Sequence, residues 1–138
     1  MRIKQLLIGI TASVIAISSY VEIAIADLKF PMLVYRTGAY APNGIPNADG
    51  FVDYYKMINA RDGGIGGEKI FHPECETGYK TQVGVECYEK NKKDAMVFQP
   101  MSTGITYQLI PKATADGVTV YSTGYGRTSA ANGKVFKW

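Results

Sequence analysis

Apolar residues fall along this chain in short runs separated by amphipathic stretches. Leu28–Tyr35 is nearly continuous and rich in β-formers, and Ala95–Phe98 and Val118–Tyr121 repeat the pattern, so each reads as a buried strand. Lys69–Glu76 reads as another strand, interrupted at Pro73, whose missing N–H predicts an edge position or a bend. From about Ala48 to Arg61 the spacing is helical, with Phe51, Tyr55 and Ile58 on one face, and Asp62-Gly63-Gly64 supplies the stop. Thr81–Asn91 and Thr106–Ala115 predict two more helices, the second closed by Asp116-Gly117. The order β-α-β-α-β-α-β predicts an α/β fold: a three-layer, Rossmann-like, mostly parallel sheet with helices on both faces and right-handed crossovers.

The stretches between these elements are turns and loops. Thr37–Pro46 is dense in Gly, Pro and Asn and predicts a loop. The run Gly63-Gly64-Ile65-Gly66-Gly67 invites comparison with a dinucleotide-binding loop, but it follows a helix and precedes a strand, the reverse of that fingerprint. It is read as a turn, as is Thr77-Gly78-Tyr79-Lys80.

The N-terminus has a separate character. Met1-Arg2-Ile3-Lys4 is basic, Leu6–Ile17 is apolar but short for a membrane span, and Ala24-Ile25-Ala26 is an A-x-A site. This layout predicts a secretory signal peptide over residues 1–26, cleaved after Ala26, and a periplasmic destination. Of the 15 basic and 12 acidic side chains, Arg2, Lys4 and Glu22 fall in that segment, leaving 13 against 11 over 112 residues. A net charge of +2, with scattered lysines and arginines, does not indicate a nucleic-acid partner. Residues 27–138 suffice for one modest domain.

In an oxidising compartment, Cys75 and Cys87 favour a disulfide over two free thiols. A metal site is a poor alternative, because His72 is the only histidine and no C-x-x-C occurs. No cofactor is expected.

Candidate chemistry centres on Gln99-Pro100-Met101-Ser102-Thr103-Gly104-Ile105-Thr106, a strand-to-helix turn. There the hydroxyls of Ser102 and Thr103 and the first N–H groups of a helix would converge, with the helix dipole favouring an anion. Capping is the commoner use of such residues. Ser122–Ser129 follows the fourth strand and reaches the same sheet edge, as does the Thr37–Pro46 loop. Together they would bring Thr128 and a carboxylate-matching Arg127 beside the aromatic walls of Tyr40 and Tyr125. Glu74 and Glu76 share one face of a strand, opposite Cys75, but nothing marks a pocket around them. With a lone histidine and no G-x-S-x-G, hydrolytic catalysis is not expected.

Five segments together carry a resemblance: RTGAYAPNG from Arg36, NARDGGIGG from Asn59, ECETGYKTQVGVECY from Glu74, STGITYQLIP from Ser102 and GYGRT from Gly124. The chain resembles the N-terminal part of the type 1 periplasmic solute-binding proteins of ABC importers, in their branched-chain amino-acid-binding group. The resemblance implies two α/β lobes that close on a small solute and dock on an inner-membrane permease, with residues 27–138 as part of the first lobe. It implies that a carboxylate is held at Ser102 and Thr103 and at Gly124, Tyr125, Arg127 and Thr128, with Tyr40 as pocket wall. A chain ending in a loop after the fourth strand would be a fragment offering half of a binding cleft, expected to bind weakly. The same fold in a ligand sensor is the rival expectation. His72-Pro73 departs from the family pattern.

Overall fold

A computed structural model of the protein describes residues 27–123 and 135–136. The expected signal segment lies outside the described residues. The strands are β1 (Leu28–Lys29), β2 (Met32–Val34), β3 (Ile70–Phe71), β4 (Glu74–Glu76), β5 (Val97–Pro100), β6 (Thr119–Tyr121) and β7 (Val135–Phe136). The helices are α1 (Ala41–Arg61), α2 (Thr81–Asn91) and α3 (Thr103–Asp116). A five-stranded sheet runs in the order β4-β2-β5-β6-β7, and β1 pairs with β3 in a two-stranded extension. Every ladder is parallel, as the alternation of strands and helices predicts.

The two longest expected strands are each broken in two, at matching places. Leu28 stands opposite Ile70 and Met32 opposite Glu74, so both halves keep one register, which sets Pro31 opposite Pro73. Pro73 removes one donor from this ladder and the regular pairing lapses there, although the Phe30 and Met32 N–H groups still donate to the Phe71 and Pro73 carbonyls. His72, beside this break, is half-buried with its ring 5.5 Å from that of Tyr55.

Side chains alternate across the sheet with the two-residue period of a strand. Leu33, Phe98 and Val120 point to one side and pack against Tyr88 of α2 and Ile105 and Leu109 of α3. Met32 and Val34 point to the other and pack against Ala48 and Tyr55 of α1. Helices therefore cover both faces, giving the three layers expected. Gly84 lets α2 and α3 approach closely: a Cβ there would lie 2.7 Å from Ile105 side-chain carbons. A disulfide joins Cys75 on β4 to Cys87 on α2, with Cα atoms 5.9 Å apart.

Four expected boundaries are corrected. The Thr37–Pro46 loop is only half loop, because α1 begins at Ala41. Pro42 sits in the first turn, where its missing N–H costs little, and Pro46 gives up one helical bond. Burial outweighs that loss. Gly44 lies so close to β2 that a Cβ would fall 1.9 Å from the Tyr35 carbonyl oxygen, and Ala48 is fully buried. The third strand runs on to Pro100 and α3 starts at Thr103, three residues earlier than expected, because Ser102 caps it. Gly117, at φ 71°, closes that helix after Asp116 in the left-handed conformation. The chain also does not finish in a loop after the fourth parallel strand: β7 adds beside β6.

Candidate functional site

Because the strands are parallel, β2, β4, β5 and β6 deliver their carboxyl ends to one rim. The helices α1, α2 and α3 begin there, and none has an acidic residue in its first turn. Their N-terminal dipoles therefore reach the rim without an internal counter-charge.

At the β5–α3 turn, Ser102 is extended (φ −125°, ψ 131°) and buried, and its Oγ accepts from the Ile105 N–H at 3.4 Å. The hydroxyl is thus a helix cap, and the capping use holds at this position. The first full helical bond runs from Thr106 N–H to the Ser102 carbonyl at 2.9 Å, so the N–H groups of Thr103 and Gly104 precede the ladder. Thr103 is half-buried and Gly104 exposed. Thr81 of α2 stands across from them: a Cβ on Gly104 would lie 3.4 Å from Thr81 Oγ1 and 3.8 Å from Ser102 Oγ. Beneath the turn, Thr106 Oγ1 donates to the Ser102 carbonyl at 2.8 Å and is bonded to Ser122 Oγ at 2.6 Å. This buried chain ties the end of β6 to the start of α3.

The β2 and β4 ends are fixed by charge. Arg36 donates through Nε and Nη2 to both oxygens of Glu74 and through Nη1 to Asp49, at 2.6–2.7 Å. These hydrogen bonds hold its pKa above the ordinary guanidinium value. Glu76 accepts from the N–H groups of Arg36 and Gly78, both at 2.7 Å, and from the Thr37 hydroxyl. Partial burial opposes its ionisation, but these hydrogen bonds outweigh it and hold its carboxyl below the ordinary value of 4.5. Glu74 and Glu76 are therefore occupied in tying loops together, which leaves no free acid–base pair.

Aromatic rings complete the rim. Tyr40, the residue before α1, is half exposed, and its ring centroid lies 4.4 Å from that of Tyr79 in the β4–α2 loop. Tyr79 also meets Tyr35 edge-on at 4.8 Å. Its backbone has φ 63°, a left-handed conformation costing a side chain about 1–2 kcal/mol. The loop is pinned by Thr77, whose hydroxyl donates to the Val34 carbonyl at 2.7 Å and accepts from the Tyr79 N–H at 3.2 Å.

Of the residues expected at the site, Tyr40, Ser102 and Thr103 are at this rim, while Gly124, Tyr125, Arg127 and Thr128 lie outside the described residues. Sequence reading missed Tyr79 and Thr81. The signal for Tyr79 was an aromatic residue following glycine at a strand's carboxyl end, in a segment read only as a turn.

A well-formed cavity lies elsewhere. About 510 Å³ lies on the α1 face, between Tyr54 and Ile58 of α1 and Val97, Thr119 and Tyr121 of the sheet. Its walls are almost wholly apolar, with no convergent donors such as a small polar solute requires. Among the described residues, no cluster of His, Cys, Asp and Glu could hold a metal ion, and no helix is long and apolar enough to cross a membrane.

Comparison with known proteins adds a family. The profile of the family described as periplasmic binding protein matches residues 27–138. The chain is similar in structure to a protein described as an ABC transporter permease from the Pseudomonas fluorescens group, at 37% identity and TM-score 0.73, covering 80% of this chain and 29% of the other. It has the fold of a branched-chain amino acid transporter substrate-binding protein from Streptococcus pneumoniae solved with isoleucine, at 22% identity and TM-score 0.69, covering 80% and 33%. A solute-binding protein from R. palustris in complex with benzoate shares it too, at 20% identity and TM-score 0.64, covering 80% and 32%. This chain therefore spans about a third of the length of those structures. No curated protein matched it.

Proposed function

This chain belongs to the periplasmic binding protein family, and we propose that it is part of the substrate-binding component of an ABC importer. In this reading it captures a small carboxylate-bearing solute, a branched-chain amino acid or a related amino or organic acid, and presents it to an inner-membrane permease. Residues 1–26 serve as a signal peptide that directs it to the periplasm, and residues 27–138 contribute to the first lobe of a two-lobed domain. The role is binding without turnover.

The observation that carries the reading is the convergence of three acid-free helix starts on one rim. The N–H groups of Thr103 and Gly104 and the Thr103 hydroxyl receive the carboxylate, and Ser102 fixes the turn that presents them. Tyr40 walls the apolar part of the solute. Gly124, Tyr125, Arg127 and Thr128, following β6, close the other side, with the Arg127 guanidinium as counter-charge. The isoleucine and benzoate named for two neighbours both carry a carboxylate, which supports this choice of solute class.

The test is calorimetric titration of the complete gene product, freed of its signal, with leucine, p-coumarate and urea. Micromolar binding of a carboxylate, none of urea, and loss of that binding in Thr103→Val and Arg127→Ala is the expected outcome. No binding of either acid overturns the reading.

A further inference from the structure

We infer that Tyr79, paired with Tyr40, is a specificity-determining shelf that favours a solute with a flat aromatic body over a branched aliphatic one. The inference deepens the solute-binding reading and rests on it. Its starting point is the backbone. Among the described residues only Tyr79 and Asp94 are non-glycine residues with positive φ, at 63° and 59°. Aspartate tolerates this conformation, because its short side chain hydrogen-bonds locally, whereas a bulky ring does not. Gly78, immediately before, is also left-handed at φ 54°. A turn alone would be better served by glycine or asparagine at both positions. Tyrosine at 79 therefore needs a reason that lies in its side chain.

Burial is only part of that reason, since Tyr79 remains 37% exposed and Tyr40 53% exposed. The ring is nevertheless held in place. It leans edge-on against buried Tyr35, tilts 34° from Tyr40, and sits on a loop clamped by Thr77 and Glu76. An exposed aromatic surface fixed before any solute arrives binds a flat partner with little loss of side-chain freedom. Backbone strain of this kind concentrates at ligand clamps.

The shelf is also next to the anion seat. Tyr79 is two residues before Thr81, whose hydroxyl faces Gly104 at the start of α3. An aromatic acid would place its carboxylate at the Thr103–Gly104 N–H groups and its ring toward Tyr79 and Tyr40. A leucine-sized body offers no flat face and gains only contact area.

The experiment titrates the complete gene product, freed of its signal, with p-coumarate and L-isoleucine, alongside Tyr79→Gly and Tyr79→Phe. Glycine relieves the backbone at this position, and a thermal melt of each variant checks that folding is retained. Expected are coumarate binding at least tenfold tighter than isoleucine, and a drop of about tenfold for coumarate in Tyr79→Gly. Isoleucine binding should stay within twofold there, and Tyr79→Phe should keep coumarate binding. Unchanged coumarate binding in Tyr79→Gly, or equal losses for both acids, overturns the shelf while the solute-binding reading stands. Binding of neither acid by the unaltered protein overturns both.

Discussion

On the side of α2 and α3, Leu33, Phe98 and Val120 are covered completely, the two helices meet through Gly84, and a disulfide fastens α2 to β4. On the α1 side the cover is looser, with Met32 and Val34 of β2 packed against Ala48 and Tyr55. Toward β5 and β6 the cavity between Tyr54 and Tyr121 stays open, and the buried Gln99 amide takes a hydrogen bond from Tyr55 at Oε1 while its Nε2 has no partner among the described residues. The difference bears on the proposed binding rim. Two of the three helix starts at the rim come from the closed face, whose dense packing fixes where their donors point. The cavity of about 510 Å³ belongs to the open face and has almost wholly apolar walls, unlike the rim with its helix N–H groups.

The sharpest way to break this comparison is to cut into each face in turn. Phe98→Ala, on the closed face, should cost about 3–5 kcal/mol of unfolding free energy in urea titration. Tyr54→Ala, 55% exposed at the open cavity, should stay within about 0.5 kcal/mol of the parent. Similar losses at both positions would erase the distinction. Next in size, replacing Cys75 and Cys87 together by serine should cost about 3 kcal/mol by freeing the short loop they close, read from the same titrations. Ser102→Ala should cost about 1 kcal/mol, with Ser102→Asp recovering most of it, because the capping acceptor is restored.

The smallest effect is a pH dependence. Glu76 titrates below its unfolded value of 4.5, so its contribution is complete above about that pH and is lost as pH falls through its folded value. Glu76→Gln should therefore show a shallower decline of stability between neutral pH and pH 3, followed by circular dichroism. A decline as steep as the parent's would assign the acid limb to other carboxylates.

Much of this architecture was legible in the sequence. Short apolar runs alternating with helical spacing gave the parallel three-layer order, and Pro73 announced the break in the edge strand. The start of α1 was not legible, because Gly, Pro and Asn density reads as loop. What makes the segment helical is the tertiary fit of Gly44 against Tyr35. The early start of α3 was hidden for a related reason: Thr103 and Gly104 are weak helix formers, and the Ser102 cap with the Thr106–Ser122 bond draws them in. At the site, the Ser102 turn and Tyr40 could be read from residue types at a strand end. Tyr79 left only the weak signal of an aromatic after glycine at a strand end, since its positive φ is a property of the folded loop.

The charges on the outer strand bear on how molecules of this protein meet one another. β4 is the margin of the five-stranded sheet, and a margin presents unpaired amide groups to which a neighbouring chain can add. The charges of Glu74, Glu76 and Arg36 lie along this margin. Strand-on-strand self-association is discouraged on that side, because an added strand would have to bring its own groups against these charges.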